Sequence, residues 1–145
     1  MIEEEISIDS FDRIAGIPIS AIPYASNISL SVRKPLVLVR KEPTDGRHRS
    51  VEGILKPGDR VLPIDDVITT GDNLSNTAKV LRHEGALVEK ALVLVDREEK
   101  GIEKLRDEGV NVYSLMTVSE AARILSRLSI LSKDEYRAIL LQIRK

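Results

Sequence analysis

The chain has 145 residues, enough for one domain with its own core and too few for two. Its 42% hydrophobic and 31% charged residues fit a folded soluble protein, and a net charge of −1 provides no overall field to attract nucleic acid. The absence of Cys excludes a disulfide framework and thiolate chemistry, and the two His, His48 and His83, are too few for a His-based metal centre. Aromatic residues, at 3%, leave little surface for stacking bases. No segment approaches the length of a membrane span, and the start Met1-Ile-Glu-Glu-Glu5 is acidic where a secretory signal is basic, so a cytoplasmic protein without membrane contact is expected.

One domain is expected over residues 1–145. Residues 1–10 are a polar lead-in, and Phe11 to Gly16 reads as the first strand. The turn Gly16-Ile-Pro-Ile-Ser-Ala-Ile-Pro23 leads into a helix reaching about Val32, with Pro23 in its first turn. Pro35 to Arg40 is a second strand. Residues 41–58 form a long flexible loop, basic as far as Arg49, and loops of this length tend to be functional.

The apolar run that begins at Arg60 and Val61 reads as a buried central strand ending at Asp65 and Asp66. Thr69, Thr70 and Gly71 form a tight turn. Leu74, Ala78 and Leu81 then recur at helical spacing until Gly85. Val88 to Val95 is a further strand, Gly101 to Glu108 a helix, and Val110 to Leu115 the last strand. Over 117–145, Thr117-Val-Ser-Glu120 and Ser132-Lys-Asp-Glu135 are capping boxes that open two C-terminal helices. This alternation predicts an α/β fold, a mostly parallel central sheet flanked by helices on both faces. Ligands in such sheets bind at the carboxyl ends of the strands, where Gly16, Arg40, Asp66 and Asp96 would converge on one rim.

The central segment is built for a sugar phosphate. Free N–H groups and the dipole at a helix N-terminus favour phosphate, the hydroxyls of Thr69 and Thr70 add donors, and paired carboxylates suit a diol or a hydrated cation. The bland alternative is a buried strand ended by helix-capping aspartates. Ile64-Asp-Asp-Val-Ile-Thr-Thr-Gly71 resembles the phosphoribosyl pyrophosphate (PRPP) motif of the type I phosphoribosyltransferases, a family with a Rossmann-like core. The resemblance narrows further. Val39-Arg-Lys-Glu42 before a basic loop, Ala15 to Pro23, Asp96-Arg97 and the tail from Thr117 are similar to the orotate phosphoribosyltransferases, archaeal members above all, and the match runs from about Phe11 to the end.

The resemblance implies transfer of a phosphoribosyl group from PRPP to orotate, assisted by Mg²⁺ that is held through PRPP and water with no direct protein ligand. It implies Asp65, Asp66 and Lys41 as catalytic. Binding would fall to Arg40, Val67, Ile68, Thr69, Thr70, Gly71, Asp72 and Asn73, to Ser20 and Ala21 of the pyrophosphate turn, to Arg47 and His48 of the loop, and to Arg97 for the pyrimidine acid. A homodimer is implied too.

The chain departs from the family's pattern in four places. Few residues precede the first strand where the family has a hood over the base. Ser20-Ala21 replaces a glycine-containing pair, so that a methyl group stands where the backbone would approach pyrophosphate. Thr44 replaces a loop Lys. Asp72, well suited to cap the helix, is compatible with a neighbouring phosphate only when its side chain turns away. The alternatives to orotate transfer are a non-catalytic relative that binds PRPP or a nucleotide phosphate as a sensor or partner subunit, and a transferase for another base.

Overall fold

The computed structural model describes residues 6–40 and 50–143. After a 3₁₀ turn at Ile8–Ser10, the order is β1 (Arg13–Gly16), α1 (Ile22–Val32), β2 (Leu36–Val39), β3 (Val51–Glu52) and β4 (Val61–Ile68). Next come α2 (Asp72–His83), β5 (Lys90–Asp96), α3 (Gly101–Asp107), β6 (Asn111–Thr117), α4 (Val118–Arg127) and α5 (Lys133–Ile143). The sheet order is β3-β2-β1-β4-β5-β6. Among the described residues every pairing is parallel except that of the two-residue β3, which runs antiparallel to β2.

Side chains that alternate along the strands feed two cores, one on each face. Leu62 and Ile64 of β4 pack with Ile14, Leu92 and Phe11 beneath Ala25, Ile28 and Val32 of α1. Val61, with Ala15, Val37, Ala91 and Val93, lies under Leu74, Ala78 and Leu81 of α2 and Leu105 of α3. Each fully buried Leu or Ile contributes about 1.5–3 kcal/mol relative to leaving it exposed. The two C-terminal helices begin at the expected boxes. Thr117 Oγ1 accepts from Glu120 N (3.1 Å) while Glu120 Oε2 accepts from Thr117 N (2.9 Å), and Ser132 and Glu135 repeat the exchange.

Two boundaries differ from the sequence reading in a way that matters. The central strand does not end at the aspartates: β4 continues through Val67 and Ile68, which stay in register with Val95 and Asp96 of β5. Two β-branched residues keep the ladder going past the acidic pair. The segment 50–58 is not wholly a loop, because Val51 and Glu52 form an edge strand on β2.

Candidate functional site

The chain winds from β1 towards β2 on one side and from β4 towards β5 on the other, so the sheet reverses direction between β1 and β4. Crevices open at the carboxyl ends of strands at such a point. β1 ends at Gly16, where an added Cβ would stand 3.1 Å from Ala25 Cβ; the missing side chain lets α1 fold back closely on the strand. The connecting turn carries a cis peptide between Pro18 and Ile19.

A cavity of about 850 Å³ fills the crevice, lined among others by Ser20, Arg40, Glu52, Asp65, Asp66 and Asn73. Asp65 is only 6% exposed. Its Oδ1 accepts from the Asp66 backbone N–H at 3.0 Å. Asp66 is half-buried. Burial pushes its carboxyl up, but hydrogen bonds from Ser20 and from the backbone amides of Val67 and Asp66, together with its contact with the Asp65 side chain, outweigh that and hold it below the usual Asp value. Both acidic residues of β4 therefore line one cavity with the turn after β1. On the far wall Arg40 pairs with Glu52 of β3.

Beside this cavity lies a hollow of about 190 Å³, lined by Asp65 and by Val67 through Leu74. It is the turn into α2. Gly71 is the N-cap, at φ 79°, a left-handed conformation that favours glycine. Asp72 is the first helical residue, not the cap expected from its residue type. Its carboxylate is otherwise engaged: Thr70 Oγ1 donates to Asp72 Oδ2 at 2.6 Å, and Lys104 of α3 pairs with Oδ1. These contacts, Lys104 first, hold the Asp72 carboxyl below its ordinary value. Thr70 thus spends its hydroxyl proton on Asp72, whereas Thr69 lines the hollow without that contact.

Of the residues proposed from sequence, Ser20, Arg40, Asp65, Asp66 and Asn73 line the cavity, and Val67, Ile68, Thr69, Thr70, Gly71 and Asp72 line the hollow. Ala21 lines neither. Its methyl group is fully buried in the core and so points away from the place where it was expected to obstruct a ligand. Arg97 lines neither as well: its backbone N–H donates to Ile68 O and its guanidinium pairs with Glu99 at 2.7 Å. Lys41, Arg47, His48 and Thr44 lie outside the described residues. Sequence reasoning missed Glu52, because a two-residue strand leaves no periodic pattern, and Lys104, because it is brought to Asp72 by tertiary packing alone.

Among the described residues, no group of three or more His, Cys, Asp or Glu side chains could hold a metal ion, and no helix is long and apolar enough to cross a membrane.

No family model matches the chain. It is 43% identical to the orotate phosphoribosyltransferase of Methanothermobacter thermautotrophicus over 75% of its length, and spans 61% of that protein. The orotate phosphoribosyltransferase structure from Aeropyrum pernix superposes with a TM-score of 0.76 at 34% identity, covering 90% of this chain and 73% of that one. The Mycobacterium tuberculosis orotate phosphoribosyltransferase, solved in complex with PRPP, gives a TM-score of 0.68 at 25% identity over 81% of this chain and 70% of that one. With this fold, this switch-point cavity and a third of its residues shared with a protein of which it covers nearly three quarters, the chain belongs to the orotate phosphoribosyltransferase family.

Proposed function

We propose that the chain transfers the phosphoribosyl group of PRPP to orotate. The observation that carries the reading is the meeting of Asp65 and Asp66 with Ser20 and Arg40 in one cavity, next to the Thr69–Gly71 hollow, in a chain of this family. In the reaction a ring nitrogen of orotate bonds to C1 of the ribose and gives up its proton to water or to the departing pyrophosphate. The bond from C1 to the pyrophosphate oxygen breaks, and its electron pair leaves on pyrophosphate.

The depressed Asp66 carboxyl and its buried neighbour Asp65 accept hydrogen bonds from the ribose hydroxyls. The helix N-terminus and Thr69 take the 5′-phosphate. Arg40, with Lys41, Arg47 and His48 of the adjoining segment, balances charge on the leaving group, the place where charge develops in the transition state. Mg²⁺ fits this donor set. It commonly binds through one or two carboxylates plus substrate phosphates and keeps several waters, and Asp65 and Asp66 can accept hydrogen bonds from those waters. When bound it supplies positive charge to the departing pyrophosphate. Arg97, paired outside both hollows, is the proposed contact for the orotate carboxylate once it leaves Glu99. The proposal includes a cytoplasmic homodimer. The second subunit is supported by Ile19, 81% exposed on the cavity wall, which leaves an apolar side of the site uncovered.

The test is calorimetric binding of PRPP with Mg²⁺. Asp65→Asn combined with Asp66→Asn weakens binding by about tenfold or more, the equivalent of about 1.4 kcal/mol. Unchanged affinity in the double variant overturns the site.

A further inference from the structure

We propose that Lys104 is a positioning residue of the phosphate-binding turn: its ammonium holds and neutralises the Asp72 carboxylate, so that a phosphate can occupy a turn that also carries an anion. The inference rests on the phosphate reading of the hollow given above. An acidic side chain at the first position of α2 lines the very hollow assigned to the 5′-phosphate. Left alone, its charge would repel a phosphate bound in that hollow.

The position of Lys104 follows from backbone packing. The first turn of α3 abuts the turn before α2. A Cβ added at Gly101 would lie 2.7 Å from Ile68 Cγ1 and 2.9 Å from Gly71 N, and closer still to Thr69 O. A Cβ at Gly71 would meet Gly101 O at 3.0 Å. Two residues without side chains thus let two backbones touch. Lys104 stands three residues after Gly101, on the same side of the helix, and so projects toward Asp72. Farther along the same interface Ser75 Oγ of α2 donates to the Glu108 carboxylate at 2.7 Å, so α3 is fixed at its other end as well. The ammonium is therefore delivered to Asp72 by a clamped helix.

A merely structural ion pair and a neutralising one make opposite forecasts for the double variant. PRPP–Mg²⁺ affinity is measured by calorimetry for the unaltered protein, Lys104→Ala, Lys104→Arg, and Lys104→Ala with Asp72→Asn. Lys104→Ala should weaken binding about fivefold, the equivalent of about 1 kcal/mol. Lys104→Arg should retain most of the affinity. Adding Asp72→Asn to Lys104→Ala should restore it, because the amide still accepts from Thr70 but carries no charge. A Lys104→Ala protein with unchanged affinity overturns the inference, and so does a double variant no better than the single. Failure of the unaltered protein to bind PRPP would instead strike at the functional reading itself.

Discussion

At Asp59 a single carboxylate ties the start of the sheet together. It pairs with Arg13 at the head of β1, and its Oδ2 also accepts from Lys56 N at 2.8 Å. Burial pushes this carboxyl up, and the Arg13 guanidinium and the Lys56 amide more than offset it, leaving it below the ordinary Asp value. A folded-state pKa below the unfolded one contributes stability that is present above the unfolded value, about 4, and is lost as pH falls through the folded one. Asp59→Asn should therefore be less stable than the unaltered protein at neutral pH, with the gap narrowing as pH falls below about 4. Urea unfolding midpoints at neutral and acid pH check this; a constant gap would mean that charge at Asp59 is not the source. The same scale marks where sequence is mute. Asp65 and Asp66 were legible because two acids beside an apolar run are conspicuous. The contact that helps set the state of Asp66 was not, since Ser20 reaches Asp66 only once α1 folds back over Gly16.

Among elements, α3 carries more responsibility for the site than its seven residues suggest. It touches the turn at Gly101, pairs with Asp72 through Lys104 and meets α2 through Glu108. Gly101→Ala should force the Thr69–Gly71 backbone to shift. Overpacking of this kind costs about 1–3 kcal/mol. Its mark would be a lower melting temperature together with weaker PRPP binding. A variant with unaltered melting and binding would show that the two backbones have room to part. The elements themselves were largely legible. Leu74, Ala78 and Leu81 at helical spacing gave α2, and the two capping boxes gave the starts of α4 and α5. The end of β4 was misplaced because a pair of aspartates looks like a stop. In the sheet, Val67 and Ile68 still find partners on β5, so pairing wins over local residue type. Edge strand β3 escaped notice for the reverse reason: two residues held only by pairing with β2 have no pattern of their own.

Over the whole molecule, the sequence of connections decides where chemistry can occur. A sheet ordered β3-β2-β1-β4-β5-β6 has one reversal, between β1 and β4, and the turn after β1, the acids of β4 and the start of α2 all open there. Part of that convergence was readable from alternating strand and helix patterns: Arg40 and Asp66, expected on one rim, both line the cavity, whereas Asp96 lines neither the cavity nor the hollow. The displacement of Arg97 from the cavity was not readable, because its pairing with Glu99 depends on how the chain turns after β5. The chemistry proposed for this rim is transfer of a phosphoribosyl group to orotate. The most direct test follows the loss of orotate absorbance with PRPP and Mg²⁺, beside the Asp65→Asn, Asp66→Asn double variant. Steady conversion by the unaltered protein is expected, with a rate lower by on the order of a hundredfold in the variant, because groups that orient a reacting sugar are lost. A folded protein that binds PRPP yet consumes no orotate, or a double variant that turns over at the original rate, would contradict the proposed transfer.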